Sequence, residues 1–511
     1  MSFFHTKSVA QLENDAASSS LTKNLTAFDL TLLGVGGIIG AGIFVLTGIA
    51  AARYAGPGLA LSFVIAGVLC ILVGLTYSEF ASIIPASGSV YSYTFASLGE
   101  GMAFLCGWSL LLAYTVTGAA VAVGFSGYLA GMTASLGYVI PDYLLKTPAE
   151  GGLVNLPSII IILLLCFVLI RGTKQSAKLN AILVVVTLSA IIAFVAIATP
   201  HADMANLNPF LPFGTSGVIS GAAIVFFSYM GFDAVATSAE ECKNPSRDLP
   251  IGIIASITIC MTLYICMSLA LTAAVNYTML DTPEPVAYAL RLLGREKVAN
   301  LIAVGAIAGI ITTLIVYLFG QSRIFFAVSR DGMLPAKIGK IHPKYHTPYI
   351  VTTLGSILIA VISGFVPLMH IVELSNTGTL AVFFVNFIGI VVMRRKHPEI
   401  KRKFRCPLLY IIAPIGAIVC FYLIYELSTL THALFAGWIV IGLIIYYVYG
   451  QKHSKVIEEA ELAAQKKARS RFYSITKSLY LLRRKGGEDT GIFVCFTVKR
   501  RQSTGQKSGS Q

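Results

Sequence analysis

The sequence predicts an all-α polytopic membrane protein of about twelve transmembrane helices, and three observations carry that expectation. Of its 511 residues 56% are hydrophobic and only 12% are charged, about half the charged fraction of soluble domains. Apolar runs of roughly 20 residues, the length that crosses a bilayer as a helix, recur along the chain. One of these runs, Leu30 to Gly48, carries glycine at 34, 36, 37, 40, 42 and 48. A helix that only had to span would not favour this, because each interior glycine costs up to about 1 kcal/mol relative to alanine.

Taken in order, residues 1–24 are a polar tail with no apolar core of the kind a cleavable secretory signal needs. Spans are expected at about 28–51, 58–80, 101–131, 157–171, 178–199, 215–240, 250–275, 298–329, 348–366, 370–393, 408–427 and 432–449, the fourth closed early by Arg171. Loops on one side hold only Arg53, Lys146, Arg291, Arg295 and Lys297 of the 38 basic residues. The other 33 lie on the opposite side or in the tails, so both termini are expected to be cytoplasmic. The net charge of +14 is then a matter of topology, and a nucleic-acid partner is unnecessary. Residues 282–296 read as a short surface helix or a solvated loop on the outside. The tail 451–511 is basic; it starts as a charged helix, Glu458 to Arg471, and ends in a Gly/Ser/Gln-rich stretch.

None of the nine cysteines forms a C-x-x-C pair, and the histidines fall in loops, tails or span ends. Neither a zinc site, a disulfide framework nor a cofactor is expected, and no nucleophile–base pairing points to an enzyme.

The glycine-rich run has two readings. Gly34 and Gly48 suit close helix packing. The cluster Gly36-Gly37-Ile38-Ile39-Gly40-Ala41-Gly42 is too dense for packing alone and reads as an unwound segment at membrane depth, tolerated only where it faces protein or a polar cavity. The sixth span carries a second interruption, with Gly231 and the acidic Asp233 inside it. Spans one and six are five apart and therefore run in opposite directions. Paired breaks at that offset point to an inverted five-plus-five repeat with a central site. The implied divisions are the tail 1–24, a first repeat 25–199, a second repeat 200–395, spans eleven and twelve within 396–450, and the tail 451–511. Free N–H groups at Gly40, Ala41 and Gly42 suit a carboxylate, and carbonyls near Ile38 and Phe227 suit an ammonium group. A zwitterionic amino acid presents both. Ser228 and Gly231 at the second break join the candidate substrate site.

The sequence resembles the amino acid–polyamine–organocation transporter superfamily, most closely its bacterial branch related to cationic amino acid transporters. The resemblance covers roughly residues 24–450. It rests on T-A-F-D-L-T-L-L-G-V-G-G-I-I-G-A-G-I-F at 26–44, Y-S-E-F-A-S-I-I-P-A-S-G-S-V-Y-S-Y at 77–93, G-F-D-A-V-A-T-S-A-E-E-C-K-N-P-S-R-D-L-P at 231–250 and G-Q-S-R-I-F-F-A-V-S-R-D-G-M-L-P at 320–335. It implies a proton- or exchange-driven secondary amino acid transporter with peripheral spans eleven and twelve, in the plasma membrane (the inner membrane of a bacterium). The family's substrate backbone contacts fall on Ile38, Ala41 and Gly42. Its aromatic cover falls on Phe227, for which core packing is the plain alternative. Tyr317 occupies a position that faces the substrate side chain, and Thr117 lines the same pocket.

Two positions depart from the pattern. Ala113 stands where close relatives carry a glutamate, and Thr187 where they carry a lysine, the family's candidate proton-coupling group. Losing both is coherent, since removing one alone would leave an unpaired buried charge. Three coupling readings stay open. Thr187 with Thr312 or Thr313, plus carbonyls near Gly36 and Ile39, would make an all-oxygen sodium site. Asp233 would be the titrating group. Or the protein would need no ion. For Thr187 the plain alternative is a hydroxyl bonded back to its own helix. Glu79, Glu240 and Glu241 are expected to pair with Arg323, Arg247 or Lys243 at the cytoplasmic span ends. With no second carboxylate clearly placed beside the pocket, small or medium neutral amino acids are expected over arginine and lysine. A sodium-coupled transporter, a cationic amino acid transporter and a non-transporting sensor reading out through the tail remain alternatives.

Overall fold

The computed structural model describes residues 2–9, 11–12, 25–84, 88–171, 176–335, 337–343, 345 and 347–455, and these are almost entirely helical. The expected tail helix Glu458 to Arg471 lies outside the described residues. The helices used below are α1 Ala27–Ile38, α2 Leu59–Ile83, α3 Val90–Ser97, α4 Glu100–Ser135, α5 Leu156–Arg171, α6 Ser176–Ala198, α7 Gly214–Val225, α8 Asp233–Thr237, α9 Pro245–Ala274, α10 Pro285–Leu292, α11 Glu296–Arg330, α12 Tyr349–Phe365, α13 Leu368–Lys396, α14 Leu409–Tyr425 and α15 Thr429–Ile445. Among the described residues eight helical stretches are long and apolar enough to cross a membrane, and α1, α5, α12 and α14 are shorter apolar helices. This is a multi-pass membrane protein. Large apolar side chains such as Leu164, Ile192, Leu301 and Ile418 face outward and are exposed, which is stable only in a hydrocarbon solvent.

Local chemistry sets the helix limits. Thr26 caps α1: its hydroxyl accepts the Asp29 N–H at 3.4 Å, and the Asp29 carboxylate accepts the Thr26 N–H at 2.9 Å, a reciprocal box that satisfies two otherwise orphaned donors. Within 282–296 the structure has a helix, α10, rather than a loop, but Pro285, Val286, Ala287, Ala289 and Leu290 are buried, so it packs into the bundle instead of lying on its surface. Helix α3, between α2 and α4, has no counterpart in the hydropathy reading because it is short and fully buried.

The two ends of the bundle are tied differently. At the end that carries the basic loops, Leu25 pairs as an isolated parallel bridge with Cys242, its N–H donating to Glu241 O at 3.0 Å and its carbonyl accepting from Lys243 N at 3.0 Å. Arg323 meets Glu241 at 2.5 Å. Glu79 departs from expectation: its partners are Arg394 and, at 3.1 Å, Arg402, and it also accepts the Cys406 N–H at 2.8 Å. The carboxylate is fully buried, so it takes the cations of the α13 end and of the loop folded over it rather than those at the rim. The Glu240 side chain is not among those described. At the other end Arg53 pairs with Asp281 and Arg291 with Glu284.

Candidate functional site

The first break is shorter than the sequence suggested. Helix α1 continues through Gly36 and Gly37 to Ile38. Only Ile39 and Gly40 leave the helix, Ile39 at φ −81°, ψ 98°, and a wider π-helical turn over Gly42–Leu46 follows. Gly36 and Gly37 remain helical, and at Gly37 the lack of a side chain admits a close neighbour. The neighbour is the second break. There α7 passes into a 3₁₀ turn at Phe226–Tyr229, Met230 is extended, and Gly231 has φ +114° before α8 begins. A Cβ on Gly231 would lie 2.6 Å from the Gly37 carbonyl carbon, and one on Gly37 would lie 3.1 Å from the Gly231 oxygen. The two interruptions therefore face each other, backbone against backbone. Gly34 lies against Ser256 and Gly48 against Pro285, the close packing expected of them.

The carbonyls released by the break are accounted for one by one, as buried backbone groups require. Ile39 N donates to Val35 O at 2.9 Å. The Thr313 hydroxyl lies 3.2 Å from Gly36 O and 3.1 Å from Ile39 O. The Tyr264 hydroxyl reaches Ile38 O at 3.0 Å and Ser228 O at 2.9 Å, so one phenol from α9 joins a carbonyl of each break. On the α7 side, Asn376 Nδ2 donates to Ala223 O at 2.7 Å. The helix-start N–H groups at Ala41 and Gly42 have no intrahelical acceptor by geometry. Beside them sits the Ser228 hydroxyl, buried and without a hydrogen-bond partner; a Cβ on Gly42 would meet it at 2.6 Å. A buried unpaired hydroxyl costs about 1–3 kcal/mol and needs a reason.

Around this core the structure gathers side chains from α4, α11 and α13. Asp233, 3% exposed, accepts a hydrogen bond from the Tyr114 hydroxyl. The Tyr114 ring meets Tyr317 edge to face at 5.5 Å. Thr117 and Ser375 hydrogen-bond to each other. Ser375, Thr379 and Thr117 all turn hydroxyls toward the Met230 sulfur, at 3.4, 3.5 and 3.8 Å. Phe227 is buried beside the break. Ala113, in place of the family's glutamate, is buried against Gly378.

Val35, Gly36, Ile39, Thr187, Gly309 and Thr312 border a crevice too narrow for a water molecule. Here the Thr187 hydroxyl lies 2.9 Å from Leu183 O of its own helix and 3.3 Å from Gly305 O of α11, and Thr312 donates to Ala308 O at 3.0 Å. Thr312 is bonded back to its own helix, Thr187 is shared between its own helix and α11, and Thr313 reaches across to the carbonyls of the break.

Sequence reasoning missed Tyr114, Met230, Tyr264, Ser375, Asn376 and Thr379. One signal for them was present: Ser375-Asn376-Thr377-Gly378-Thr379 has no large apolar side chain in the middle of a span. Tyr264 is flanked by ordinary apolar sequence and gave none.

Residues 25–449 match the family model described as amino acid permease. The chain is 44% identical over 455 residues to a methylthioribose transporter of Bacillus subtilis (strain 168), covering 89% of this chain and 99% of that protein. It is 42% identical over 461 residues to the branched-chain amino acid permease BcaP of the same organism, again 89% of this chain and 99% of the relative. It is 36% identical over 400 residues to the vacuolar cationic amino acid transporter 4 of Arabidopsis thaliana, covering 77% of this chain and 66% of that one.

Proposed function

Because the chain belongs to the amino acid permease family, a family of transporters and not of enzymes, we propose that it moves neutral aliphatic L-amino acids across the plasma membrane by alternating access. The reading includes twelve spans, an inverted repeat of 25–199 and 200–395, peripheral spans eleven and twelve, and cytoplasmic termini. The basic loops gathered at one end of the bundle support that orientation.

One observation carries the site: the unpaired Ser228 hydroxyl beside the helix start at Gly42, where two backbone breaks face each other. The N–H groups at Ala41 and Gly42, with the positive end of the resumed helix, would take the substrate carboxylate, and Ser228 would add a donor. The Ile38 and Ser228 carbonyls, already drawn together by Tyr264, would take the ammonium group. The side chain would then project toward Met230, Thr117 and Tyr317. Asp233 is occupied by Tyr114 and offers no carboxylate to a cationic side chain, which favours neutral substrates. The branched-chain permease relative supports the same class.

Coupling through a proton at Asp233 is favoured over sodium. The Asp233–Tyr114 pair adjoins the break and is directly linked to Tyr317. The hydroxyls of the crevice, by contrast, are engaged with their own helices or with the carbonyls an ion would need. A second reading has a specific basis. Three hydroxyls converge on a thioether in the side-chain pocket, and one relative is named for a methylthio sugar, so 5-methylthioribose belongs among the substrates tested. Uptake into proteoliposomes decides both, with each of the twenty amino acids and 5-methylthioribose as competitors and with pH and sodium gradients imposed separately. Saturable uptake of a branched-chain amino acid driven by an inward proton gradient is expected. Uptake indifferent to a pH gradient overturns the coupling, and the absence of amino acid uptake overturns the substrate.

A further inference from the structure

A groove of about 690 Å³ opens on the outer surface of α9, with Arg247 at its basic end and Lys403 and Phe404 of the segment before α14 on its other wall. It has the size of a small-molecule site. Arg247, Ile251, Ile254 and Thr258 follow one another at helical spacing on a single face of α9. Ile251 is exposed. From Arg247 to Thr258 is about 16 Å along the helix axis at 1.5 Å per residue, about half of a 30 Å hydrocarbon core. The groove is therefore one leaflet deep, with its cations at one end and apolar walls along the rest.

The charges set it apart from ordinary lipid-facing surface. Within the block 394–405, Arg394 and Arg402 turn inward to Glu79. Lys403 does not: it is exposed, as is Arg247, and neither has an anionic partner among the described residues. Asp248, the acid next to Arg247, is buried and does not line the groove. The groove has two cations without an anionic partner among the described residues where a headgroup phosphate would lie, and an apolar channel where an acyl chain would run.

We propose that this groove holds one anionic glycerophospholipid, its phosphate between Arg247 and Lys403 and one acyl chain along Ile251, Ile254 and Thr258. The lipid sits directly behind the substrate-binding half of the molecule. The opposite face of α9 presents Gly252 to Leu30 and Ser256 to Gly34 of α1, so the bound lipid braces the helix against which the first break is packed.

The test is native mass spectrometry of the full-length protein in detergent, titrated with dioleoylphosphatidylglycerol or dioleoylphosphatidylcholine. One phosphatidylglycerol is expected to bind in preference to phosphatidylcholine. Arg247→Gln/Lys403→Gln should weaken it roughly ten- to thirtyfold, the effect of two interfacial cations. Lys401→Gln/Arg405→Gln, two exposed cations of the same loop outside the groove, should leave it unchanged. Ile254→Trp fills the channel without altering charge and should also expel the lipid, which keeps the test decisive if the double variant does not fold. Equal binding of the two lipids, retention by the groove variants, or full displacement by millimolar inorganic phosphate would each overturn the proposal, the last by reducing the site to a simple anion site.

Discussion

At the scale of single residues, the site is built from side chains that are absent. Gly231 combines a positive φ with contact against the Gly37 carbonyl carbon, and no L side chain satisfies both. Gly42 leaves room for Ser228. Gly42→Ala is expected to abolish uptake, because its methyl would lie 2.6 Å from the Ser228 hydroxyl and closer still to the Ser228 Cα, and Gly42→Ala/Ser228→Gly, which leaves that Cα in place, not to restore it. Wild-type uptake by Gly42→Ala would mean that the backbone approach at this point is not required. Ser228→Ala removes a hydroxyl that is buried without a partner, so the apo protein should hold or gain thermal stability while KM rises several-fold. A lower melting temperature with unchanged KM would show a structural role instead. Tyr317→Ala, which opens the pocket beside Tyr114, should widen the range of competing side chains; an unchanged competitor profile would place Tyr317 outside the pocket.

At the scale of elements, helices are joined by buried polar contacts as much as by packing. Glu79 of α2 gathers Arg394 of α13 and Arg402 of the following loop, all nearly inaccessible. Removing one partner of such a cluster leaves an uncompensated buried charge, worth about 3–5 kcal/mol. Cys406, whose N–H also binds Glu79, reports on the same loop. Burial, together with the Glu79 charge, raises its thiol to about 11, so at pH 8 it stays protonated and unreactive. Glu79→Ala is expected to lower the melting temperature and to let Cys406 react with iodoacetamide at pH 8, read by peptide mass spectrometry. Parental labelling in the variant would refute the assigned role of Glu79.

For the whole molecule, ion pairs close both ends of the bundle. Arg323–Glu241 at the basic end is only partly buried. Exposed pairs are worth about 0–1 kcal/mol, up to about fivefold in a balance; this one is mostly shielded, and Arg323 also reaches Thr237 O and lies over the Phe319 ring, so its loss should weigh at least that much. Arg323→Gln should therefore raise the reactivity of a cysteine introduced at that end by about fivefold or more; unchanged reactivity would mean that the pair does not close that end. The opposite end has its own partly buried pair. Burial raises the Glu284 carboxyl above the usual carboxylate range, opposed by Arg291. A raised carboxyl favours the folded state below its pKa and loses that contribution as pH rises through it.

Much of this was legible in the linear sequence because the membrane makes few solutions available. The run of apolar helices and the two breaks at glycine follow from hydropathy and from the cost of glycine in a helix; the amino acid site belongs to the proposal built on them. The extent of the first break was not legible: glycine permits both unwinding and close approach, and only the position of Gly231 shows that Gly37 does the second. The partners of Glu79 were hidden for a similar reason, since charge identifies candidates but the fold of 394–406 selects among them. The Tyr264 bridge, the unpaired Ser228 hydroxyl and the hydroxyls around Met230 join residues 36 to 258 positions apart. The sequence by itself determined what must lie in the membrane and where the helices must break, because those are local costs of backbone and burial. Only the tertiary structure decided what the broken ends face, because that depends on which distant helix is packed against them.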